Sequence, residues 1–99
     1  MADRKITWSK AALNQFEAAI NYIANDSIQN AEKVRKDILQ KIESLLLHPE
    51  INRPDKYKMA NDGSYRAFEL HRYRVAYRVK EKEVRIFRIR HTSRDTLQY

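Results

Sequence analysis

The chemistry-bearing side chains of this chain gather in its second half. Arg66, Arg74, Arg78, Arg88, Arg90 and Arg94 recur there, with Glu69, His71, His91, Lys56, Lys58 and a final Tyr99. Guanidinium groups are planar forks of donors that fit phosphate or carboxylate oxygens bidentately. His71 and His91 are of the type that titrates near neutrality and can move a proton. Metal-free phosphodiester cleavage needs a base for the attacking 2′-hydroxyl, an acid for the leaving oxygen and cations around the phosphorane. Each required residue type is present. Glu69 and His71 lie two residues apart, a spacing that projects both from one face of a strand. The same spacing relates Lys56 and Lys58. Structural roles compete with each assignment: Glu69 as the ion-pair partner of a neighbouring arginine, His71 in a tight turn, His48 at a helix end, and Tyr57 and Tyr65 in packing.

Those residues need a scaffold, and the pattern supplies one. Tyr73, Val75, Tyr77 and Val79 alternate with Arg74, Ala76, Arg78 and Lys80, which gives a strand one apolar and one basic face. Tyr65 to His71, Tyr73 to Lys80 and Glu83 to Arg90 read as three antiparallel strands, joined tightly at His71-Arg72 and by Lys80-Glu81-Lys82-Glu83. The last strand has apolar residues on both sides, Val84 and Ile86 against Phe87 and Ile89, as expected where an inner strand is covered on both faces for part of its length. Upstream, Lys5 to Trp8 is a short β-like run, and Ser9 caps a helix with the stripe Leu13, Phe16, Ile20, Ile23. Ser27 caps a second helix of about 20 residues with the stripe Ala31, Val34, Ile38, Ile42, Leu45, Leu46, ended at His48-Pro49. Residues 50–64 are polar and rich in turn formers, and Lys56 to Met59 is either loop or short edge strand. The expected architecture is α+β, in the order β-α-α-β-β-β, with a helical hairpin packed on a small antiparallel sheet. One domain spans residues 1–99.

Composition narrows the function. The net charge is +7. Residues 1–50 hold seven basic and seven acidic side chains, while residues 51–99 hold thirteen and six, so the whole excess lies beside the strands. Such asymmetry points to an acidic partner: nucleic acid, an acidic protein segment or an anionic membrane surface. No apolar run reaches the roughly 20 residues needed to span a bilayer, and no helix combines a basic face with an exposed aromatic face, so no membrane association is expected. With no targeting segment, residence is expected to be cytoplasmic. There is no cysteine, which excludes disulfides and thiolate chemistry. There is no phosphate-binding loop, dinucleotide fingerprint, Gly-x-Ser-x-Gly or metal-spaced cluster. No metal or other cofactor is expected.

Several short motifs, in order and spacing, resemble the RelE/ParE superfamily of toxins across nearly the whole chain. They are Ile6-Thr7-Trp8-Ser9 followed by Ala12, the helical hairpin, Leu46-Leu47-His48-Pro49, Tyr73-Arg74-Val75-Ala76-Tyr77-Arg78-Val79, and Arg88-Ile89-Arg90-His91. The resemblance implies a microbial-RNase-like fold and the toxin half of a type II toxin–antitoxin pair, forming a hetero-oligomer with a cognate antitoxin whose acidic segment wraps it. RelE-like members cut mRNA in the ribosomal A site without metal; ParE-like members share the fold, lack those residues and inhibit DNA gyrase. The RelE strand arginine falls on Arg74, a second family arginine on Arg94, and the C-terminal tyrosine within one position of Tyr99. The family's lysine pair would fall on Tyr65 and Ala67, which are not lysines. Lys56 and Lys58 have the pair's spacing further upstream. His91 matches the C-terminal histidine of other RNase members, while Arg88-Ile89-x-His91 followed by Asp95 resembles the ParE ending.

On that resemblance the expectation is a ribosome-dependent mRNA endonuclease, with the ribosome and mRNA as partners. Arg74 and Arg94 hold the phosphate, and His91, Glu69 or His71 serves as acid or base beside Tyr99. Lys56, Lys58, Arg66, Arg78, Arg88 and Arg90 contact RNA. The alternatives are a non-enzymatic gyrase inhibitor and an inactive homologue that only binds antitoxin.

Overall fold

The alternation of Tyr73 to Val79 sets the architecture, because it gives the sheet a single apolar face for the helices to cover. The computed structural model describes residues 4–94 and 98–99. Its elements are β1 (Lys5–Trp8), α1 (Lys10–Asp26), α2 (Ile28–Ser44), β2 (Tyr65–Leu70), β3 (Tyr73–Val79) and β4 (Glu83–His91). The strands form one sheet in the order β1-β4-β3-β2. β2, β3 and β4 pair antiparallel as expected, but β1 runs parallel to β4, from Lys5 beside Glu83 to Trp8 beside Ile86. The sheet is therefore mixed.

Caps and turns place these elements. Ser9 accepts a hydrogen bond from the Ala12 amide at the start of α1. A single residue, Ser27, joins the helices: its amide donates to Ile23 at the end of α1, and its hydroxyl accepts from the Asn30 amide in α2. That connection forces an antiparallel hairpin. α2 stops at Ser44 rather than running to Leu46, and a turn carries Leu45 to Leu47. On α1 the buried stripe passes through Ala12, Phe16 and Ile20, while Leu13 is 47% exposed. Ala12, one position earlier, takes the core-facing site.

The core lies between the hairpin and the sheet, where Ile38 and Ile42 from α2, with Leu45 just after it, meet Val75, Tyr77, Val84 and Ile86. Each such side chain, fully buried, contributes about 1.5–3 kcal/mol. The Tyr77 hydroxyl donates to the Pro49 carbonyl and accepts from the Asn52 side-chain amide, which fixes the loop after α2.

β4 departs from simple alternation. Ile86 pairs with Tyr77 and Arg88 with Ala76, so Phe87 is an extra residue in a β-bulge. The bulge shifts the pleat by one. Val84, Ile86 and Ile89 all enter the same core, and of the strand's apolar side chains Phe87 turns to the opposite face. The strand's register changes there, and on the opposite face Phe87 is packed by Tyr65 and Tyr99.

The β2–β3 join is a two-residue turn with both central residues at positive φ, His71 at 53° and Arg72 at 66°. That is type I′ geometry, which glycine adopts without strain at the second position. Arg72→Gly should therefore raise stability by about 1 kcal/mol, a Tm gain of roughly 4–8 °C; thermal melts of the two proteins check this.

Candidate functional site

The open face of the sheet carries Tyr65, Ala67 and Glu69 on β2, Arg74, Ala76 and Arg78 on β3, and Arg85, Arg88 and Arg90 on β4. Arg74 stands opposite Arg90, and Arg78 opposite Arg85. Like charges directly opposed across strands destabilise a sheet, so these groups need counter-charges or aromatic faces.

Asp55 supplies the counter-charge. Residues 53–55 run along the outer edge of β2, with a bridge between Pro54 and Arg66 and a 2.8 Å bond from the Asp55 amide to the Tyr65 carbonyl. The Asp55 side chain is thereby carried over the open face and is only 3% exposed. Its Oδ1 accepts from Arg74 Nη2 at 2.8 Å and from the Tyr57 amide at 3.1 Å, and its Oδ2 accepts from the Tyr99 hydroxyl. Arg74 Nη1 donates to Glu69 Oε2 at 2.9 Å. One guanidinium is thus held by two carboxylates.

Aromatic rings hold several of the other cations. Arg74 lies 4.9 Å from the centroid of Tyr57, Arg78 4.8 Å from Tyr65, and Arg88 4.7 Å from Tyr99. Lys58 lies between Tyr65 at 4.6 Å and Tyr99 at 5.4 Å, and its ammonium donates to the Met59 and Tyr99 carbonyls. Tyr99 is itself anchored by main-chain bonds to Tyr57 and Met59, and its ring packs on Phe87. Residues 56–59 are thus a loop paired with the end of the chain rather than an edge strand of the sheet.

The electrostatics follow from this packing. Burial alone would raise the Asp55 pKa, but the Tyr99 hydroxyl, the Arg74 guanidinium and the Tyr57 amide outweigh it and hold the pKa below the usual 3.8. Burial, reinforced by the Asp55 carboxylate, pushes the Tyr99 hydroxyl well above its ordinary value, so it remains a proton donor and not a base. Burial, together with Arg90 and Arg74 beside it, draws Arg88 below its ordinary value. A carboxyl whose pKa is depressed by folding stabilises the fold above its unfolded pKa and loses that contribution as pH falls through the folded one. Stability should therefore be flat above about pH 5 and fall below about pH 4. Asp55→Asn should flatten that acid limb in denaturation curves taken against pH.

The other sequence-selected residues do not converge on Arg74. Arg66 lies on the helix side of β2, where its guanidinium binds the Glu50 and Asn52 carbonyls. His71 does not share a face with Glu69: β2 ends at Leu70, and the turn sends the imidazole to Asp37 on α2, Nε2 to Oδ2 at 2.6 Å. His91 stands opposite Tyr73 on the helix side and meets that ring edge-on. Its Nδ1 accepts from the Ser93 amide at 3.1 Å, which leaves the proton of the neutral ring on Nε2. Arg94 lines the same helix-side cleft as His91. Lys56 is exposed and lies over Tyr57. Asp95 lies outside the described residues. Among the described residues there is no group of three histidine or carboxylate side chains able to hold a metal, and no helix long and apolar enough to cross a membrane.

This fold has relatives. A family model described as the ParE toxin of type II toxin–antitoxin system, parDE, matches residues 6–96. The chain belongs to the ParE toxin family. A solved structure of a chromosomal ParDE TA system from P. aeruginosa superposes with a TM-score of 0.72 at 22% identity, covering 90% of this chain and 96% of that one. That likeness establishes the shared fold. No curated protein matches the chain.

In this ParE-family toxin the residue that organises the open face, Asp55, is one that sequence reasoning had placed in a turn. Asn52-Arg53-Pro54-Asp55 has turn composition, and nothing local marks its carboxylate as buried. The usable signal was indirect: arginines facing each other across strands require an acid from elsewhere.

Proposed function

We propose that this toxin acts as a non-enzymatic inhibitor of DNA gyrase, through protein–protein contact, and is neutralised by a small antitoxin with an acidic segment. The observation that carries this reading is the double ion pair of Arg74. A cation that stabilises a phosphorane must turn toward developing charge, and both terminal nitrogens of this guanidinium are already engaged, Nη2 by Asp55 and Nη1 by Glu69. The remaining candidates support the same conclusion. His91 and Arg94 occupy the helix side, His71 is bound to Asp37, and the Tyr99 hydroxyl is spent on Asp55. Acid, base and phosphate clamp are therefore not gathered around one point. The family match favours the same reading.

The positive charge of the open face on Arg78, Arg85 and Arg90 suits an acidic protein surface. The test is a supercoiling assay with purified gyrase. The toxin should block supercoiling at near-stoichiometric amounts, and the combined change Arg78→Glu with Arg85→Glu should weaken inhibition by about tenfold or more. Gyrase that stays fully active in a molar excess of folded toxin would overturn the proposal.

A further inference from the structure

The chain holds a single glycine, Gly63, and it directly follows an aspartate. That pairing carries chemistry of its own. The main-chain nitrogen after an aspartate can attack the carboxyl carbon of that residue's side chain and close a small cyclic imide. A side chain on the following residue crowds the attack, and glycine removes the crowding. Asp62 is exposed. Gly63 sits at φ +94°, and a methyl group built on it would meet nothing within 4 Å, so the ring has room. The other aspartates among the described residues are placed differently. Asp26 ends α1, Asp37 lies inside α2 and Asp55 is buried, and Ser27, Ile38 and Lys56 follow them.

Hydrogen bonds restrain the atoms that must move. Asp62 Oδ1 accepts from the Ser64 amide at 2.9 Å and from the Ser64 hydroxyl at 2.5 Å. The Gly63 amide, whose nitrogen is the nucleophile, donates to Asn61 Oδ1 at 2.9 Å. The Ser64 hydroxyl and then its amide draw the Asp62 pKa below the usual 3.8. They thereby favour the ionised carboxylate, whereas ring closure needs the protonated carboxyl, which sheds its hydroxyl as water. Ser64 is itself fixed, since its hydroxyl accepts from Arg78 Nε at 3.2 Å and its carbonyl from the Val79 amide at 2.8 Å. Asn61 ties the same turn to the rest of the open face: its side-chain amide donates to the Asp55 and Tyr65 carbonyls.

We infer that Asp62–Gly63 is a self-modification site: the aspartyl linkage converts to isoaspartate, Ser64 holds the conversion in check, and the product loosens the loop that carries Asp55. In the first step the Gly63 nitrogen bonds to Asp62 Cγ, the bond from Cγ to its hydroxyl breaks, and that hydroxyl leaves with the amide proton as water. In the second step a water adds at the Asp62 main-chain carbonyl carbon. Its hydroxyl stays on carbon, and its proton passes to the Gly63 nitrogen as that carbon–nitrogen bond breaks. The chain then runs through Asp62 Cβ and Cγ, and the former main-chain carbonyl is a free carboxyl. One water leaves and one enters, and nothing is oxidised or reduced. The main chain gains a methylene between Asn61 and Gly63, so the turn cannot keep both the Asn61 and the Ser64 bonds. This chemistry stands whatever the toxin inhibits.

The test is to age the folded full chain for weeks in mildly acidic buffer made with heavy-oxygen water, beside the chain unfolded in guanidinium chloride. Tryptic digestion then releases the peptide of residues 59–66, in which mass spectrometry reads heavy oxygen and the isoaspartyl linkage at position 62. Both samples should form isoaspartate there, the folded chain more slowly. Ser64→Ala, shown to be folded by circular dichroism, should react at least about threefold faster than the folded wild type, because the carboxyl loses one of its two donors. Asp62→Glu, whose longer side chain closes a larger and slower-forming ring, should show no label at that position. The separated isoaspartyl form should melt several degrees below the unmodified chain. Absence of label at position 62 from the folded wild type and Ser64→Ala, equal rates in the two, or an unchanged Tm in the isoaspartyl form would overturn the inference. Label that appears first at another aspartate would overturn it too.

Discussion

Replacing Asp55 with alanine should cost about 3–5 kcal/mol of folding stability, because it leaves a largely buried guanidinium without its main partner. For a domain of this size that is a fall of at least about 12 °C in Tm, a large share of the roughly 5–15 kcal/mol available to any small domain. The loss has three parts. Arg74 keeps only the exposed Glu69, the Tyr99 hydroxyl loses its acceptor, and the Tyr57 amide loses its acceptor as well. The double change Asp55→Ala with Arg74→Met should be less harmful than Asp55→Ala alone, since it removes the stranded charge. Urea denaturation of the two variants gives the comparison. A double variant as unstable as the sum of its parts would mean that Asp55 and Arg74 are not coupled.

The second large effect concerns Tyr99. Its ring joins Phe87, Arg88 and Lys58, and its hydroxyl donates to Asp55. Hydrogen bonds to charged acceptors are worth about 1.5–3 kcal/mol, so Tyr99→Phe should lose about that much. Tyr99→Ala should lose about 1 kcal/mol more, by surrendering the ring contacts. The hydroxyl acts as a structural donor, so its removal should leave gyrase inhibition per folded molecule within about twofold, because no proton transfer depends on it. Denaturation curves and supercoiling assays on the same preparations separate the two. A Tyr99→Phe protein of normal stability and no activity would make the hydroxyl functional and refute its structural assignment.

The elements themselves were legible because each carries a strong local pattern. Tyr73, Val75 and Tyr77 on the strand and the stripe from Ala31 to Ile42 bury as read. Where reading failed, a single residue changed the phase. Phe87 in the bulge moves Ile89 onto the core side, which alternation alone assigns to the other face. The positive φ of His71 takes its side chain off the strand, so its two-residue spacing from Glu69 no longer means a shared face. The β1 run was visible, but its parallel pairing depends on a partner far away in sequence.

The site was only half legible for a related reason. An arginine's type declares what it can bind, not what has already bound it. The pairing of Arg74 with Glu69 follows from cross-strand register and was among the structural alternatives. The arrival of Asp55 depends on a stretch whose composition says only turn. Its edge bond to Tyr65 and the Asn52–Tyr77 contact that steadies the loop are tertiary facts.

The most direct test of the claim that Arg74 is a structural, carboxylate-bound residue is primer-extension mapping of mRNA on translating ribosomes, with the folded wild-type chain beside Arg74→Ala. The structure predicts no cuts within codons above background for either protein. Codon-positioned cuts by the wild type that vanish in Arg74→Ala would show the guanidinium leaving Asp55 for a phosphate, and would contradict the account.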